Sequence, residues 1–173
     1  MARYSVTQLV YHPAFDPYNA ALRLLRLLSA SPKPLDRTSL RILDFYVLFP
    51  EELSQARLTT ALRSKVRRLN SEPRYPYDRL PAQQPLFARM EPSFDAALQT
   101  LIAKGLAARS TEETYALVSE NVPTSLLEIA RKRNEAEAGL IEVLVEVGTS
   151  FEGLGANGLK DRTGLAEYRY DAV

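Results

Sequence analysis

The chain has 173 residues, enough for one domain or a pair of very small ones, and long enough to bury roughly 70% of its unfolded surface without staples. Hydrophobic residues make up 46% and charged residues 25%, an ordinary globular balance, and the absence of Cys excludes disulfide frameworks, thiolate metal sites and cysteine nucleophiles. The net charge of +1 hides an asymmetry: residues 1–89 hold 14 Lys/Arg against 7 Asp/Glu, and residues 90–173 hold 8 against 14.

The first helix is signalled by Asp16 as a cap, Pro17 at the first helical position and an apolar run from Ala20 to Leu28. Asn19, Arg23 and Arg26 form its one narrow polar stripe, so this helix is either central to the core or half buried by another chain. Ser31-Pro32-Lys33-Pro34 ends it. A second helix is predicted from near Asp36 or Arg37 to Phe49. Pro50-Glu51-Glu52 reads as its stop and as the acidic first turn of a third helix over about 54–69. The third helix carries most of a basic stretch, 57–79, in which Arg57, Arg63, Lys65, Arg67, Arg68, Arg74 and Arg79 oppose only Glu72 and Asp78. Such a stretch suits an acidic partner or a phosphate backbone; the competing reading is a solvated face balanced by the acidic half.

Residues 70–92 hold five of the eleven prolines and read as an extended connection or interaction segment. After it, Ser93 is a candidate cap for a helix bearing Phe94, Ala97, Leu98, Leu101 and Ile102 and ending at Lys104-Gly105. Two short strands around Ser110–Thr114 follow as a hairpin over about 106–119. Helices, then a helix ending in Lys-Gly-Leu, then a two-stranded ribbon is the order of a winged helix-turn-helix. Pro123-Thr124 opens a long helical stretch. Residues 140–147 satisfy both helical and strand periodicity, with helix favoured because only Gly139 interrupts the preceding pattern.

Signals for chemistry are weak. Gly153-Leu154-Gly155-Ala156-Asn157-Gly158 spells a dinucleotide fingerprint, but too little chain follows for the helix, strand and acidic residue that the motif needs. A hinge into a tail is the better reading. His12, the single histidine, is separated from Asp16 by prolines that prevent helical alignment, and reads as structural in an N-terminal arm. No catalytic residue, cofactor or metal is assigned. No apolar run approaches the roughly 18–20 residues that span a bilayer, so a cytoplasmic chain with no membrane contact is expected. The hairpin tip carries Glu112 and Glu113, which would face phosphates and disfavour the usual docking of a winged helix on DNA.

The architecture expected is therefore mainly α: one winged-helix-like domain over 1–152 with an N-terminal arm and a long C-terminal helix, followed by a partner-binding tail over 153–173. In that tail Leu159, Lys160, Arg162, Leu165, Tyr168 and Tyr170 are the candidate contacts. Three strings carry a family resemblance. They are Tyr11-His12-Pro13-Ala14-Phe15-Asp16-Pro17-Tyr18, Arg41-Ile42-Leu43-Asp44-Phe45-Tyr46 with Phe49-Pro50, and Gly158-Leu159-Lys160-Asp161-Arg162-Thr163-Gly164-Leu165. Together they resemble the middle component of bacterial ABC-three-component systems. The resemblance implies a non-enzymatic accessory subunit beside an SMC/RecN-like ABC ATPase and a third component, in anti-phage or conflict defence. The alternative, from another class, is a winged-helix transcriptional regulator contacting DNA through 57–79. A homodimer stays open as a further partner.

Overall fold

The computed structural model describes residues 12–70, 82–137 and 139–166. The chain enters through a 3-10 turn, Pro13–Phe15, capped by His12, whose Nδ1 accepts from the Ala14 amide at 3.2 Å and whose ring lies against Phe15. Helix α1 spans Pro17–Ala30, with the Asp16 carboxylate accepting from the Tyr18 amide at 2.8 Å and Pro17 in the first turn, as its sequence demands. Strand β1 is the two residues Leu35–Asp36, and α2 follows at once over Arg37–Leu48. Asp36 caps α2 twice, accepting from the Ser39 amide at 2.9 Å and from its hydroxyl at 2.7 Å.

The third predicted helix begins later than expected. Pro50–Gln55 is a 3-10 turn, and α3 covers Thr60–Leu69 with Thr59 at its N-cap. A larger correction concerns α4, which spans Gln83–Ala103 and so takes in part of the proline-rich stretch read as an extended connection. Pro85 sits in the first turn, where a backbone N–H has no helical acceptor anyway. Pro92 lies inside the helix, and Ser93, expected as the cap, is a buried interior residue. The stretch 71–81, with Pro73, Pro76 and Pro81, lies outside the described residues.

The hairpin is where the sequence placed it: β2 (Ala107–Arg109) pairs antiparallel with β3 (Thr114–Leu117). β1 joins on the other side of β3, with Leu35 opposite Tyr115, so the sheet order is β1-β3-β2. Two residues of β1 are too few to show a period, which is why this strand was not legible. The long C-terminal helix is in fact two helices, α5 (Thr124–Ala136) and α6 (Leu140–Ser150), separated at Gly139, whose φ of +84° no helix interior accepts. Residues 140–147 are helical, as favoured. Glycine-rich 153–158 then turns the chain into a short helix, α7 (Leu159–Thr163).

α1 lies at the centre, packing on α2, α4, α5, α6 and β3. Of the two environments its composition allowed, it occupies the core, and its polar stripe is neutralised there. Arg23 grips Asp44 of α2 with both ends of its fork, Nε to Oδ1 at 2.6 Å and Nη2 to Oδ2 at 3.1 Å, and Nη1 donates to the Pro13 carbonyl at 3.0 Å. Both side chains are almost wholly enclosed. Burial pushes the Asp44 carboxyl above the usual carboxylate range, while the hydrogen bonds and charge of Arg23 pull it back. One turn on, Arg26 donates to Asn134 Oδ1 at 2.7 Å and to Glu137, tying α1 to the end of α5. Removing half of a buried pair strands the other charge, so Asp44→Ala is expected to lower the unfolding free energy by about 3–5 kcal/mol in a urea titration. Replacing both partners, as Arg23→Met with Asp44→Leu, is expected to recover most of that loss.

Candidate functional site

The basic stretch does not survive folding as one surface. Arg57 reaches α7, its Nη2 donating to the Asp161 carbonyl at 2.6 Å and lying 2.9 Å from the Asp161 carboxylate. Lys65 pairs with Glu146 of α6 at 2.5 Å. Arg63 donates to the Leu58 carbonyl at 3.3 Å. Arg67 and Arg68 are exposed on α3. Arg74 and Arg79 lie outside the described residues. Positive charge read as a single run is thus divided, with two of its members spent on carboxylates more than 80 positions away.

Of the basic residues that remain, Arg63 and Arg67 border a groove of about 460 Å³ between the Pro50–Gln55 turn and α3. Its floor is apolar, made by Leu53, Ala56, Leu58 and Val66. Arg63 and Arg67, one helical turn apart on α3, stand on one side and Glu51 on the other. The walls are fastened: Asn70 Nδ2 donates to the Pro50 carbonyl at 3.2 Å, and Ser54 Oγ donates to the Glu51 carbonyl at 2.7 Å. The basic residues at this site were singled out in the sequence. Its apolar floor was not, because Leu53 and Val66 belong to different elements and only folding brings them together.

The tail residues divide as well. Leu159 and Leu165 are fully buried in the core of this same chain, with α7 against α2, and are not surface contacts. Arg162 is held by its own fold: Nη1 donates to the Arg57 carbonyl at 2.8 Å, Nε to the Asn157 carbonyl at 2.6 Å, and its guanidinium lies 4.1 Å from the centre of the Phe151 ring. In return the Arg57 amide donates to the Arg162 carbonyl at 2.9 Å. Gly153 presses so closely on Asp36 that a Cβ there would fall 2.1 Å from its Oδ1. Residues 153–166 are therefore a strap packed on the body. Lys160 is half-buried within it; Tyr168 and Tyr170 lie outside the described residues.

On the helix that a winged helix would offer to DNA, Asp95 is engaged internally, while Gln99, Thr100 and Lys104 are exposed. Asp95 of α4 pairs with Arg37 at 2.5 Å, beside an Arg37–Glu91 pair at 2.9 Å. Arg41 lies over the Phe87 ring and 3.1 Å from Glu91, and burial lowers its pKa against the pull of that carboxylate. At the hairpin tip Arg109 is paired with Glu113 at 2.5 Å, leaving Glu112 exposed. Among the described residues no group of three His, Asp or Glu side chains is placed to hold a metal ion, and no helix is long and apolar enough to cross a membrane.

Fold and surface together define a mainly helical module with a small antiparallel sheet, whose charged groups chiefly tie its elements to one another. The chain matches the family described as ABC-three component (ABC-3C) system Middle Component 5 over residues 9–171, and it belongs to that family. It is thus a middle component of a multi-component system, as the three sequence strings implied. No curated protein and no solved structure matches it. Parts of those strings meet in the core: Pro13 and Asp44 share Arg23, and the Leu159 string packs on α2, whereas Tyr18 is exposed. Leu159→Ala is accordingly expected to cost about 2–5 kcal/mol of folding stability in chemical denaturation, whereas Glu112→Ala at the hairpin tip is expected to change it by about 0.5 kcal/mol or less.

Proposed function

We propose that this chain is a non-enzymatic adaptor built on a winged-helix plan, joining an SMC/RecN-like ABC ATPase to the third component of its system in anti-phage defence. The observation that carries the reading is the family match across nearly the whole chain. The winged-helix plan is supported by the order of elements: α1, β1 and α2 precede a helix that runs into a hairpin, and β1 pairs with the second hairpin strand to give the order β1-β3-β2. A protein-binding rather than DNA-binding use is supported by the electrostatics. Arg57 and Lys65 are neutralised within the fold, Arg109 is paired, and Glu112 projects from the hairpin tip, which leaves little positive charge to displace counterions from a duplex. The non-enzymatic reading draws on the buried charges, since Arg23, Arg26 and Asp44 are all engaged in holding helices together.

Co-expression with a candidate SMC/RecN-like ABC ATPase and third component tests the reading. A complex of fixed stoichiometry is expected on size-exclusion chromatography, and loss of this chain is expected to abolish protection in a phage challenge. The regulator alternative makes the opposite forecast: tight duplex binding by the isolated chain, falling steeply with salt and abolished when Arg63, Arg67 and Arg68 become Glu. Recovery of the chain without either partner, together with such duplex binding, would reject the adaptor.

A further inference from the structure

We propose that the groove between the Pro50–Gln55 turn and α3 is a docking site for a partner-protein segment that presents a carboxylate beside one aliphatic or aromatic side chain. The proposal rests on the adaptor reading and gives it a surface.

Four features of the groove point to this occupant. Its floor of Leu53, Ala56, Leu58 and Val66 offers an apolar seat, and about 460 Å³ suits one large side chain with a length of backbone. On the rim, Arg63 and Arg67 are i,i+4 neighbours of like charge, an arrangement that costs the helix a little unless an anion lies between them. The Arg67 guanidinium makes no hydrogen bond or ion pair in the described structure, and that of Arg63 donates only to the Leu58 carbonyl at 3.3 Å. Each therefore retains donors for a bidentate carboxylate.

Glu51 on the facing wall decides between ligand classes. A polyphosphate backbone would meet this carboxylate wherever it followed the arginines, whereas a peptide can turn one acidic side chain to the arginines and a neutral flank to Glu51. The groove is also preformed: the Asn70–Pro50 hydrogen bond ties the end of α3 to the turn, and the Ser54–Glu51 bond holds the turn itself. A rigid site loses less entropy on binding, which favours a short linear segment as its guest.

The test uses the full chain and the co-expressed ABC ATPase and third component, with complex formation titrated by fluorescence anisotropy. Arg63→Glu with Arg67→Glu is expected to weaken assembly about tenfold or more, Arg63→Lys with Arg67→Lys much less, and Lys132→Glu on α5 not at all. Unfolding curves of these surface variants, expected to overlay the parent, separate lost binding from lost folding. Assembly by the parent chain that is equally tight in the double Glu variant overturns the groove and leaves the adaptor standing. No assembly by the parent chain overturns both. Duplex DNA is the second probe: binding that the double Glu variant loses, with assembly unchanged, transfers the arginines to nucleic acid and overturns the proposal. A parent dimer that the same variant converts to monomer, again with assembly unchanged, overturns it in favour of a second copy of the chain. If truncation after Ala166 shifts the amide signals of Ser54 and Val66 with no partner added, the groove belongs to the chain's own C-terminal residues, and the proposal falls.

Discussion

The packing of this molecule depends on placing two arginines in its central helix without leaving either charge unanswered. α1 packs on α2, α4, α5, α6 and β3, so Arg23 and Arg26, both buried on it, have no direct route to water. Arg23 resolves this by a bidentate bond to Asp44 and a third bond to the carbonyl of Pro13, while Arg26 is taken up by Asn134 and Glu137. A buried pair of this kind adds little net stability over apolar residues of the same shape, because desolvation offsets much of its attraction. What the pairs mark is register: α2 meets α1 where Asp44 reaches Arg23, and α5 ends where Arg26 reaches Asn134 and Glu137. An apolar interface of leucines would tolerate a slip along the helix axis. An unpaired guanidinium would not.

The same economy governs the periphery. Strand β1, the cap of α2 and the glycine-rich turn converge on Asp36, which pairs across the sheet, caps Ser39 and leaves room beside it only for Gly153. From there Leu159 and Leu165 fill the core, and the reciprocal bonds of Arg57 and Arg162 close the strap over it. These cross-links pair the positive first half of the chain with the negative second half. Arg57 meets Asp161, Lys65 meets Glu146 and Arg26 meets Glu137, so the charge asymmetry is largely consumed as intramolecular complementarity. The surface keeps small, local features, of which the groove beside α3 combines an apolar floor with the uncommitted charge of Arg67.

For a member of the ABC-3C Middle Component 5 family this division has a functional sense. The three strings that resemble the family contribute to the scaffold: Pro13 and Asp44 converge on Arg23, and Leu159 is enclosed. In the proposed adaptor role, partner contact would fall to exposed positions such as Arg63 and Arg67, whose side chains lie outside the core. A scaffold fastened at so many points can present a rigid groove, as the proposed adaptor role would require.

Local physics in the sequence was sufficient for a good deal. The capping of α1 by Asp16 and Pro17, the start of α2 at Asp36, the end of α4 at Gly105, the hairpin and the helical character of 140–147 all follow from interactions within a few residues, where side-chain type and backbone preference act directly. The extension of α4 back to Gln83 was hidden because Pro85 and Pro92 are helix-averse in isolation, and only the packing of Phe87 and Met90 into the core makes that turn worth forming. β1 was hidden because a two-residue strand exists only through its partner. Residues 153–166 looked like a tail because glycines and balanced charge describe free and packed segments equally. The fates of Arg57, Lys65, Leu159 and Arg162 were settled by contacts with elements distant in the chain. The sequence by itself therefore determined most of the elements and the family resemblance; which charges are spent inside the fold, and which stay exposed, only the tertiary structure decided, because pairing and burial depend on distance in space and not along the chain.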